Sequence, residues 1–84
     1  MKAVDCIACK KPLTNLHPNG NQPANGLEFV TRGHYGSTVF DPMNGTILAI
    51  NVCDKCLATA AQDGNVLLVE HARQTANYRT WSRA

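Results

Sequence analysis

With 84 residues, a formal charge of +2 and 17% charged side chains, the chain is sized for one small domain whose apolar core is marginal without a covalent or metal staple. That charge is too mild to announce a nucleic-acid binder by itself. No apolar stretch reaches the length of a secretion signal or a membrane span, so a cytoplasmic protein with reduced thiols is expected.

The first element, Val4 to Leu13 (VDCIACKKPL), carries Cys6 and Cys9 as a C-x-x-C pair. One tight turn of this spacing, a zinc knuckle, delivers two sulfurs to one metal. Lys10 and Lys11 follow directly. They are read either as cations that lower thiolate pKa values and offset the charge of a metal–thiolate centre, or as solvated surface charges. Asn15 to Gly26 is rich in Asn, Gly and Pro and predicts a loop without structure of its own; His17 within it is a metal or partner contact that nothing else in the sequence supports.

Leu27 to Thr31 (LEFVT) suits a strand, which Arg32-Gly33 ends. Tyr35 to Phe40, the turn Asp41 to Gly45 and the return strand Thr46 to Val52 (TILAINV) predict a β-hairpin, because Pro42 presets a turn and Asn44-Gly45 tolerates positive φ. The glycines around His34 and Tyr35 suit a bulge that aims these side chains outward as partner contacts; local hydrogen bonding and packing is the plainer reading. A catalytic set of His34, Ser37 and Asp41 is disfavoured, since neighbours on one hairpin seldom converge as nucleophile and base.

Val52 leads into the second pair, Cys53 and Cys56, which is read as a second knuckle. Leu57 to Gln62 predicts a short helix with Asp54 at its start and Gly64 at its end. Val66 to Val69 reads as a further strand; a helix from Val66 to Ala76 competes with it, His71 to Ala76 being unlike a strand. Residues 76–84 read as an extended tail. From His71 onward there are three arginines, Arg73, Arg79 and Arg83, and no acid. With Tyr78 and Trp81 this mixture suits contacts to phosphates and bases, anchors of a protein interface, or completion of a small core by the two aromatics.

The two pairs use all four cysteines of the chain. Doubled C-x-x-C spacing is the signature of a tetrathiolate zinc site formed by Cys6, Cys9, Cys53 and Cys56, closed to substrate and therefore structural. A dithiol redox pair leaves the second pair unexplained. Iron accepts the same four sulfurs, although Lys10 and Leu57 stand where rubredoxins carry glycine, and unrelated core cysteines are the plain alternative.

On these four cysteines and the hairpin leading into Cys53, the chain resembles the zinc-ribbon class of small treble- or ribbon-type zinc domains. The resemblance implies a small metal-stabilised, β-rich α+β fold with an antiparallel hairpin, one short helix and a further C-terminal strand, in a single domain over residues 1–84. It implies structural Zn²⁺ and a ligand role for the four cysteines alone. The expected function is non-catalytic: a zinc-stapled module that docks a protein partner, as adaptor or inhibitor, with Lys10, Lys11, His34, Tyr35, Arg73, Tyr78, Arg79, Trp81 and Arg83 as candidate contacts. A nucleic-acid-binding ribbon using Lys10, Lys11 and the basic, aromatic tail is the alternative. Unpaired strand edges make a homodimer compatible with either.

Overall fold

The computed structural model describes residues 3–33, 36–42, 44–72 and 75–82. Its elements in order are β1 (Gly26–Thr31), β2 (Leu48–Cys53), α1 (Asp54–Gln62), β3 (Leu67–Ala72) and β4 (Thr75–Thr80). The strands form two separate antiparallel pairs, β1 with β2 and β3 with β4. The chain divides into two compact units, Met1–Cys53 and Asp54–Ala84. Among the described residues no helix is long and apolar enough to cross a membrane.

In the first unit, β1 and β2 occupy the expected stretches but pair with each other, Gly26 opposite Cys53 and Thr31 opposite Leu48. The expected local hairpin between residues 35–40 and 46–52 is therefore corrected. Among the described residues of this connection, side-chain hydrogen bonds compete with ladder pairing: the Ser37 hydroxyl accepts from the N–H groups of Val39 at 3.1 Å and Phe40 at 2.9 Å. Asn44 likewise accepts from the Thr46 amide at 3.1 Å. Gly33, at φ 82°, lies so close to Phe40 that a Cβ there would meet its carbonyl oxygen at 2.5 Å. Both local turns consume the amides that a strand would have offered.

Residues 15–26 are more ordered than their composition suggests. Asn15 bridges Pro23 in antiparallel fashion, the Leu16 amide donates to the Gln22 carbonyl at 2.9 Å, and the Ala24 amide donates to that of Thr14 at 2.8 Å. The Asn15 side chain closes the turn by accepting from the Gln22 amide at 3.0 Å. Leu13 and Pro23 are buried at its base.

The second unit opens with α1, which begins at Asp54 rather than Leu57 and follows β2 without a break. Its end is a left-handed cap. Gly64 has φ 74°, its amide donates to Ala61 at 3.1 Å, and the next amide, of Asn65, reaches back to Ala60 at 2.9 Å. The chain then runs into β3, so the competing helix from Val66 is overturned; His71 and Ala76 face each other across the β3–β4 ladder. The extended stretch from Ala76 to Thr80 belongs to β4. Two strands, not one, follow the helix. Trp81 ties the ends of this hairpin by donating its amide to Val66 at 2.8 Å, and with Asp54, Leu57 and Ala58 it lines a small hollow.

Buried residues in the first unit include Ala3, Cys6, Leu13 and Cys53 together with Asn51. Two cysteines and an asparagine thus stand where a larger domain would place aliphatic side chains, and burial of apolar surface alone gives such a unit little to stand on.

Candidate metal centre

Cys6 and Cys9 sit on a tight turn. The Lys10 amide donates to the Cys6 carbonyl at 2.8 Å, and the Cys6 amide donates to the Lys11 carbonyl at 3.0 Å. The turn requires a left-handed residue immediately after Cys9, and Lys10 supplies it at φ 64°, a conformation that costs a side-chain-bearing residue about 1–2 kcal/mol. The knuckle expected from the sequence is present.

β2 holds this knuckle in place. Cys6 bridges Asn51 in parallel fashion, and the Ile7 amide donates to the Asn51 carbonyl at 2.9 Å. The Asn51 side chain is fully buried. Its Nδ2 donates to the Val4 carbonyl at 3.0 Å and to Asn21 Oδ1 at 2.9 Å, while Asn21 Nδ2 donates to Asn51 Oδ1 at 2.6 Å and to Glu28 Oε2 at 2.7 Å. Every amide proton of the two asparagines is used. Sequence reading passed over both residues; the available signal was a polar side chain two positions before Cys53, on the inward face of an otherwise apolar strand.

The same alternation points Cys53 at the knuckle. Its amide donates to Cys6 Sγ at 3.4 Å, and its own sulfur lies 3.7 Å from Cys9 Sγ. Cys56 follows in the first turn of α1, where the positive end of the helix favours a thiolate. All four sulfurs lie within 4.8 Å of one another, and none is in a disulfide. A tetrahedral zinc ion with Zn–S bonds of about 2.3 Å places its sulfurs about 3.8 Å apart. The donor set therefore fits the ion in number, chemistry and spacing.

Cys6 is prepared for the role. The Cys53 amide, followed by that of Cys9, stabilises its thiolate against the opposing effect of burial and lowers its pKa from 9.0 to about 6. The shift favours the thiolate, the form that binds a cation. The second pair departs from expectation in one respect: Cys53 ends a strand and Cys56 opens a helix, so only the first pair lies on a knuckle.

The remaining candidate contacts are dispersed. Lys10 and Lys11 are exposed beside the first pair. Tyr78 keeps 65% of its surface in solvent; its neighbour Arg79, on the other face of β4, pairs with Glu70 at 2.5 Å. Trp81 is half-buried and His17 exposed. His34, Tyr35, Arg73 and Arg83 lie outside the described residues. Of the imagined catalytic set, Ser37 is engaged in its turn. A hollow of the first unit is lined by Val4, Asn15, Asn21, Glu28 and Ala49 among others. Compared with protein-family models, with curated proteins and with solved structures, the chain finds no match in any of the three.

Proposed function

We propose that this chain is a zinc-stapled, non-catalytic binding module whose partner is a protein. The observation that carries the reading is the closed cluster of Cys6, Cys9, Cys53 and Cys56. Four thiolates fill a tetrahedral shell, leaving no position for substrate or water, so the ion acts as a staple. Its order, a knuckle, then a hairpin, then a helix that supplies the last ligand, corresponds to the treble-type member of the resembled class rather than to a ribbon with two knuckles. Zinc is preferred to iron because the thiolates require no redox partner to serve as a staple and zinc is the usual occupant of closed structural sites.

Protein binding is supported by apolar strand residues left in solvent, among them Leu27, Phe29, Val30 and Leu48, in a domain this small. The nucleic-acid alternative draws on exposed Lys10 and Lys11, but Arg79 is engaged by Glu70. Elemental analysis of the purified protein tests the metal and should find one zinc per chain. A random-sequence DNA and RNA gel shift tests the alternative: binding that falls steeply with salt would replace the protein-partner reading.

A further inference from the structure

Glu28 is exposed, and an exposed glutamate ordinarily moves freely among its rotamers. This one is tied to the end of a chain of amides. Its Oε2 accepts from Asn21 Nδ2 at 2.7 Å, and Asn21 exchanges two hydrogen bonds with Asn51, at 2.6 Å and 2.9 Å. Asn51 is fully buried and anchored on the Val4 carbonyl at 3.0 Å. The carboxylate is thereby held as a planar acceptor of fixed direction. Among the described residues its Oε1 has no hydrogen-bond partner.

This carboxylate lines a hollow of about 560 Å³, within the range of about 300–1,000 Å³ that ligand sites occupy. The lining residues all belong to the first unit. Ala3, Val4, Pro18 and Ala49 form apolar wall, Asn19 adds a further amide, and Glu28 is the one charged side chain among the described residues that line it.

Taking the protein-partner reading as its premise, we infer that this hollow receives an arginine side chain from a peptide segment of that partner. Charge selects a cation, because the lining offers a carboxylate and no opposing positive group. Orientation selects guanidinium over ammonium. A planar acceptor of fixed direction is matched by the planar fork of arginine, which can use Oε1 and the remaining lone pair of Oε2, whereas an ammonium is a point charge with little regard for direction. The apolar wall suits the methylene stem, and the Asn19 amide offers an acceptor for the outer N–H groups. Since Asn21 and Asn51 position the carboxylate in the folded chain, little ordering of the site is left for the binding step.

The test is an NMR titration of the zinc-loaded, isotope-labelled full chain with the capped peptide Gly-Gly-Arg-Gly-Gly. The same peptide with lysine or citrulline in place of arginine serves as comparison, each taken to about 20 mM, past the millimolar affinity of a single-side-chain contact. The arginine peptide should saturably shift the side-chain amide signals of Asn19 and Asn21 and the backbone amide of Glu28. It should bind about 10-fold more tightly than the neutral citrulline peptide, the size of a lost hydrogen bond to a charged group. Glu28→Gln keeps an acceptor for Asn21 and removes the charge, so it should weaken arginine binding by about the same factor with zinc content unchanged. Asn21→Ala keeps the charge and frees its direction, so it should erase the preference for arginine over lysine. Absence of these shifts, an equal response to citrulline, or Glu28→Gln binding like wild type each overturns the proposal, and a preference for arginine kept in Asn21→Ala overturns its positioning step. Those outcomes leave the protein-partner reading in place, because it rests on the exposed apolar strand residues and is tested separately by the nucleic-acid gel shift.

Discussion

Asn51 is the residue on which the first pair of ligands depends. It occupies a strand position where a valine would bury well, yet its amide holds Val4 and Asn21 while its backbone carbonyl holds Ile7. Asn51→Ala leaves the Val4 carbonyl and the Asn21 amide without their partner in a half-buried place, at up to about 1–3 kcal/mol for each group stranded. The zinc-loaded variant should show a denaturation midpoint lowered accordingly; an unchanged midpoint would mean that water replaces the amide at no cost. The four cysteines are unequal as well. Cys6 and Cys53 are buried and joined by an N–H···S bond, whereas Cys9 is exposed. Competition with a chromophoric chelator should therefore rank Cys6→Ser and Cys53→Ser as the severe losses of zinc affinity and Cys9→Ser as the mildest of these three, and the reverse order would refute this picture of the site.

At the scale of elements, two glycines separate the demands of the metal from those of the fold. A Cβ on Gly26 would lie 2.9 Å from the Val52 carbonyl oxygen and 3.3 Å from the Cys53 Cα, both of them backbone, so Gly26→Ala must push the ligand-bearing end of β2 aside. Zinc affinity should fall by about 10–100-fold, as it does when ligand-orienting contacts are lost. Gly64 is different: no atom lies within 4 Å of where its Cβ would be, and its φ of 74° is the requirement. Gly64→Ala should cost about 1 kcal/mol in stability and leave zinc affinity unchanged. Chelator titration and thermal melts of the two variants separate these effects. Equal zinc affinities for both variants would show that β2 yields without moving Cys53.

For the whole molecule, the proposed zinc staple is expected to decide whether there is a fold at all. Structural zinc contributes on the order of 10 kcal/mol in small domains, as much as the net stability of an ordinary domain. Removing the ion with a strong chelator should abolish the sheet signal in circular dichroism, and added zinc should restore it. Retention of the signal would show that the pieces of apolar core suffice.

The cluster of four cysteines was legible because C-x-x-C spacing is a local property that keeps two sulfurs near each other, on a tight turn at Cys6 and Cys9 and across a strand end and a helix start at Cys53 and Cys56. The strand near 27–31, most of the strand expected at 46–52, observed as Leu48–Cys53, and the helix stop at Gly64 were legible for the same reason, each being set by side-chain alternation or by one residue's backbone freedom. Pairing was not. Whether β2 meets its sequence neighbour or β1 depends on the competing turn bonds of Ser37 and Asn44 and on what β1 gains at Gly26 and Glu28, which are contacts between residues far apart in the chain. The same limit hid the Asn21–Asn51 pair, for an amide's worth lies wholly in the partner it finds. Sequence by itself determined which atoms are able to bind the metal; tertiary structure decided what holds them together, because spacing along a chain sets local conformation while long-range hydrogen bonds exist only once the chain has folded.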